Sequence, residues 1–140
     1  MNISLGLGYL KEEEFLSAFE NCSFDPSSFH HADHVRLAWI YVHGVGAIAA
    51  EQRLLEGIRK LATHVGAPKK FLYTATIAWV RLVALAIEKD PSDLPFAAWI
   101  AEHPELLDKN LLDRFYSTGI LKAEPARTQW VEPDRQPMKL

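Results

Sequence analysis

The sequence predicts an all-α fold: a single-domain bundle of five to six helices, followed by an extended, proline-containing C-terminal tail. Three observations lead there. Apolar residues recur at helical spacing along most of the chain, and strand-like alternation is nearly absent. Glycines and prolines stand at the breaks between periodic stretches, at Gly44, Gly46, Gly66, Pro68, Pro91 and Gly119. Finally, 140 residues that are 49% apolar and 24% charged match the composition of one soluble globular core. A chain of that size buries roughly two-thirds of its unfolded surface and needs no staple. With no repeat, low-complexity stretch or linker, the domain is expected to run undivided over residues 1–140.

The elements follow in order. A first helix is expected from about Lys11 to Cys22, with Phe15, Ala18 and Phe19 on one face. The loop "SFDPSS" comes next, where Ser27 or Ser28 offers an N-cap to a second helix over about 29–43, stopped by Gly44 and Gly46. A third helix covers about 47–65, with Leu54, Ile58, Leu61 and Val65 as its buried stripe, ended by Gly66 and Pro68. The fourth, about 72–89, reads "LYTATIAWVRLVALAI" and is apolar nearly all round, the pattern of a helix surrounded by others. Short helices over about 94–102 and 105–116 follow, each with a proline near its start, Pro95 and Pro104. From Pro125 the tail is expected to be extended, with Trp130 and Val131 packing part of it back onto the helices.

Charge and cysteine content narrow the function classes. A net charge of −3 lacks the basic stripe a general nucleic-acid binder needs. No segment is long and apolar enough to span a bilayer, and the N-terminal stretch lacks a secretory pattern. The single cysteine, Cys22, forms no internal disulfide and suits a reducing compartment. The expectation is a soluble cytoplasmic protein with no nucleic-acid or membrane partner, able to form homo-oligomers.

Candidate chemistry concentrates in "FHHADHVRLAW", residues 29–39, where His30, His31 and His34 account for three of the six histidines. Taking about 100° per residue with His30 at zero, His34 falls at about 40° and His31 at about 100°. Leu37, Ala38 and Tyr41 share that arc, so the three imidazoles are expected to point toward the interior at one end of the bundle. Imidazole is the commonest protein ligand for zinc, copper and iron, and residues at i,i+3 or i,i+4 can converge on one ion. His31 and His34, with His30 as third ligand or general base, therefore form the candidate site for a divalent transition metal. The alternative reading makes His31 and His34 interior histidines donating to backbone carbonyls and His30 a polar residue at the helix start. Asp33 is expected to pair with Arg36 or to complement the helix dipole.

Arg81 is the one charge in the apolar stretch "LYTATIAWVRLVALAI" of the central helix, read either as an anion-binding group near a pocket or as half of a salt bridge, with a partner sought in residues 105–116. Tyr73, Thr74 and Thr76 open that helix; Tyr73, Thr74 and Arg81 are candidate substrate contacts, although capping or back-bonding the helix is the favoured role of the hydroxyls. His64 is expected at a helix C-terminus, His103 exposed in a turn, and Trp39, Trp79 and Trp99 in the core.

On "FHHADHVRLAW", "KKFLYTATIAW", "LLDRFYS" and "ARTQWVEPDRQPM", the chain resembles a largely uncharacterised family of small all-helical bacterial proteins. The resemblance implies an all-α fold and a pocket at the start of the histidine-bearing helix. It also implies a third histidine at position 72, where this chain has Leu72. Three functions stay open: a small metal-dependent enzyme acting on a small molecule, a metal-free histidine acid/base enzyme, and a non-enzymatic module binding a small apolar ligand or a protein partner.

Overall fold

The computed structural model describes residues 11–138 as an all-helical fold, with no strand among them. Six α-helices are present among the described residues: α1 Glu12–Asn21, α2 His31–Val45, α3 Ala47–His64, α4 Tyr73–Lys89, α5 Phe96–Ala101 and α6 Glu124–Thr128. Short 3₁₀ segments occupy Pro26–Ser28, Pro68–Lys70, Pro104–Leu107 and Lys109–Arg114.

The centre of the bundle is α4, which packs on α2, α3 and α6. Its buried residues, Thr74, Thr76, Ile77, Ala78, Trp79, Val80, Leu82, Val83 and Ala86, run around most of the cylinder, as its all-round apolar sequence requires. The main core joins most of them to Phe15 and Phe19 of α1, Val35 and Leu37 through Tyr41 of α2, Ala50 and Leu54 of α3, and Trp99, Leu106, Phe115 and Tyr116. Trp39, Trp79 and Trp99 all lie in this core.

The sharpest corner joins α2 to α3 at Gly46, whose φ of 85° favours glycine and turns the chain within one residue. A second glycine marks a close approach. The ring of Phe19 lies against α3 so tightly that a Cβ on Gly57 would meet its Cε2 and Cζ at 2.3 Å.

Several local expectations are corrected. Helix α2 begins at His31, two residues late, because Ser27 and Ser28 are held in a 3₁₀ turn capped by the Asp25 carboxylate. The α3 stripe is Ala50, Leu54 and Leu55 with Ile58 half-buried, while Val65 is exposed. Residues 105–116 form two 3₁₀ segments, since Asp108 breaks the run and caps the second through Asn110. His103 is half-buried rather than exposed, its ring packed against Trp99 with centroids 4.6 Å apart. The tail opens with α6 and then returns to the bundle. There the Tyr116 hydroxyl donates to the Val131 carbonyl at 2.7 Å, and Asp134 accepts from the Ser117 amide at 2.8 Å. Among the described residues no helix is long and apolar enough to cross a membrane.

Replacing Gly57 with alanine is expected to destabilise the fold by about 1–3 kcal/mol through overpacking against Phe19. Urea denaturation checks this; an unchanged midpoint would show that Phe19 yields freely.

Candidate functional site

The three histidines separate into three environments. His30 is the N-cap of α2, with extended backbone at φ −117° and ψ 172°, so the helical wheel does not apply to it. Its side chain is exposed, and its backbone N–H donates to the Asp33 carboxylate at 2.8 Å. Asp33 is thus spent on the helix start, buried at 1% exposure, as the acidic half of a capping box. The expectation that His30 joins the others on the interior arc is corrected by this placement outside the helix.

His31 occupies the first helical position and leans over the Trp79 indole, ring centroids 4.3 Å apart. Its Nε2 lies 2.9 Å from the Leu106 carbonyl oxygen. A carbonyl only accepts, so Nε2 donates, and in the neutral ring the lone pair sits on Nδ1. This bond ties the start of α2 to the Pro104–Leu107 turn. Burial pushes the His31 imidazole below its ordinary pKa, although the Leu106 bond opposes the shift.

His34 lies one turn further along. Its Nε2 is buried, with no hydrogen-bond partner among the described residues. Burial, reinforced by the neighbouring His31, pushes its pKa from 6.5 down to about 3. His34 is therefore neutral at physiological pH, with an unused ring nitrogen.

Whether the pair suits a metal follows from spacing. With metal–nitrogen bonds of about 2.0–2.1 Å, two imidazoles on one tetrahedral ion have centroids roughly 5 Å apart. The His31 and His34 centroids are 6.5 Å apart. Among the described residues, no group of three or more His, Cys, Asp or Glu side chains is assembled to hold an ion. Leu72, at the position where the resemblance implies a third histidine, is the N-cap of α4. The donor chemistry suits a metal; the spacing and ligand number do not.

The other candidates fall elsewhere. Tyr73 packs against a small cluster of Leu55, Phe71 and Ile77, away from the main core. Arg81 pairs with Glu51 of α3 at 3.0 Å through Nε, so its partner comes from α3 and not from residues 105–116. The same guanidinium lies over the Trp130 ring, 4.1 Å from its centroid. Trp79, which His31 touches, and Arg81 are two positions apart and so about 200° apart around α4. The histidines and Arg81 therefore sit on opposite sides of the central helix.

On the Arg81 side lies a groove of about 690 Å³ between α4 and the C-terminal segment, lined by Arg81, Ala84, Leu85, Trp130, Arg135 and Met138 among others, with no histidine. The sequence pointed to Arg81 but missed the groove. Its far wall is the tail, held by Thr74, whose hydroxyl donates to the Gln129 carbonyl at 2.6 Å and accepts from the Val131 N–H at 3.0 Å. Thr74 is thus a tether for the tail, whereas Thr76 back-bonds to Leu72 as expected. The available signal was a tryptophan inside the charged, proline-containing "ARTQWVEPDRQPM".

No family model, no curated protein and no solved structure matches the chain.

The His34 environment fixes a pH dependence. Folding lowers its pKa from 6.5 to about 3, so below pH 6.5 the unfolded chain binds a proton that the folded chain refuses. Stability is then complete above about pH 6.5 and falls with acidification, by about 1.4 kcal/mol per pH unit at most. Denaturation of a His34→Leu variant between about pH 5 and 7, above the carboxylate range, should show a shallower slope, with the remainder owed to His31. An unchanged slope would mean that His34 is charged in the folded state.

Proposed function

We propose that the protein is a non-enzymatic helical module that binds a small molecule in the groove between α4 and the C-terminal segment. The supporting observation is the groove itself. Its volume, about 690 Å³, lies in the range of small-molecule sites, and it combines apolar side chains with a few placed polar groups. An acid/base enzyme built on His34 has less support, because an efficient general base titrates near the working pH and His34 is held at about 3.

A metal-dependent enzyme is the second reading. One observation favours it: a histidine whose other ring nitrogen donates to a backbone carbonyl, as His31 does to Leu106, is oriented as metal-ligating histidines are. It requires the two rings to close together and further ligands to come from solvent or substrate.

A small-molecule library screened by thermal shift separates these readings. A ligand present at about 100 times its Kd should add roughly 3 kcal/mol of stability. Hits are expected to shift the Trp130 indole N–H signal and to bind a His31→Gln/His34→Leu variant unchanged. Hits that lose binding in that variant would overturn the groove reading. For metal, elemental analysis of protein purified without a histidine tag, and thermal stability with added zinc, copper or iron, are expected to show neither stoichiometric metal nor stabilisation. Stoichiometric binding with a raised Tm would favour the second reading.

A further inference from the structure

The groove carries a more specific chemistry than a generic pocket. Arg81 is fixed on two sides, by the Glu51 carboxylate at its Nε edge and by the Trp130 ring beneath its plane. A guanidinium held this way has little rotamer freedom left to lose. The ion pair uses Nε, so the two terminal nitrogens, with most of the donors, lie beyond it. The Arg81 side chain is 42% exposed, so that edge is reachable from the groove.

A second guanidinium, Arg135, lines the same groove, on a stretch of tail anchored where the Arg135 N–H donates to the Phe115 carbonyl at 2.9 Å. Three carboxylates also line it, and two have partners. Glu132 accepts from the Trp130 indole N–H, and Asp134 accepts from both the amide and the hydroxyl of Ser117. The third, Glu88, is exposed and stands seven residues beyond Arg81 on α4, about 10 Å along the helix. It repels a negative group from its own end. Glu132 and Asp134, bonded by neutral donors, keep their charges, so a carboxylate at the Arg81 end is held against them by direct hydrogen bonds from the guanidiniums. Between the two ends the lining is apolar, with Ala84, Leu85 and Met138 half-buried.

We infer that the groove binds a small apolar carboxylate, its carboxylate on Arg81 and Arg135 and its hydrocarbon body along Ala84, Leu85 and Met138. The inference rests on the proposal that the groove is a ligand site, and it adds the ligand class. A planar guanidinium edge accepts a carboxylate through two parallel hydrogen bonds, and the neighbouring apolar strip distinguishes such an acid from a bare inorganic anion.

The test is an NMR titration of the whole protein with hexanoate, hexanamide and inorganic phosphate, read at the Trp130 indole N–H and the Arg81 Nε–H. Hexanoate is expected to shift both signals saturably. Hexanamide, which keeps the body and loses the charge, should bind about tenfold more weakly, as should inorganic phosphate, which keeps charge and loses the body. Arg135→Ala, on an exposed side chain, should weaken hexanoate about fivefold without changing thermal stability; Arg81→Gln should do so more strongly. If hexanamide matches hexanoate, the ligand class is overturned and the groove stands as an apolar site. If phosphate matches hexanoate, the groove is an anion patch and the apolar strip plays no part. If none of the three shifts either signal, the inferred ligand class fails, while the broader proposal is still decided by the library screen.

Discussion

The burial of α4 is the constraint from which the rest of the structure follows. A helix apolar on nearly every face must be covered on nearly every face, so α2, α3 and α6 pack around it and the 3₁₀ turns after α5 complete the core. Three polar side chains within α4 are each bonded. Thr74 holds the tail, Thr76 bonds back to Leu72, and Arg81 reaches Glu51 and Trp130. The central helix therefore also sorts the chemistry of the molecule into two sides.

On one side, the histidines reinforce the fold. The bond from His31 to the Leu106 carbonyl links the start of α2 to a segment 75 residues away in sequence. That segment is a 3₁₀ turn packed between α2 and α5, so a neutral donor from α2 to its carbonyl has a clear structural use. His34 is the costly member: a buried ring nitrogen without a partner is a liability unless something else satisfies it. On the other side, Arg81 is stacked on Trp130 and paired with Glu51 at the wall of a groove. The two sides share a helix and no lining residue.

Much of the fold was legible in the sequence because periodicity reports burial directly. The centrality of α4, the core tryptophans and the glycine corner before α3 all follow from local pattern. The failures have a common cause, which is that spacing along a chain does not reveal where a helix starts or what a segment meets. His30 looked interior on a wheel that begins one residue too early, since Asp33 sets the N-cap there. Residues 105–116 read as a helix because their leucines recur, but Asp108 caps a fresh 3₁₀ turn in the middle. Arg81 stands out as the one charge among residues 72–87, whereas its partners Glu51 and Trp130, 30 and 49 positions away, are visible only in the tertiary structure. For the same reason the candidate residues His31, His34, Tyr73 and Arg81, plausible together in sequence, are distributed over three environments.

The central proposal is that a ligand binds on the Arg81 side of α4, with the histidine side serving the fold. Side-chain nitrogen NMR reads both sides in one sample, through the Arg81 guanidinium and the ring nitrogens of His31 and His34. On saturation with a groove ligand, the Arg81 signals should move while the histidine nitrogens keep the shifts of neutral rings, His31 protonated on Nε2. Movement of the His34 ring nitrogens with Arg81 unchanged would contradict the account and return the site to the start of α2.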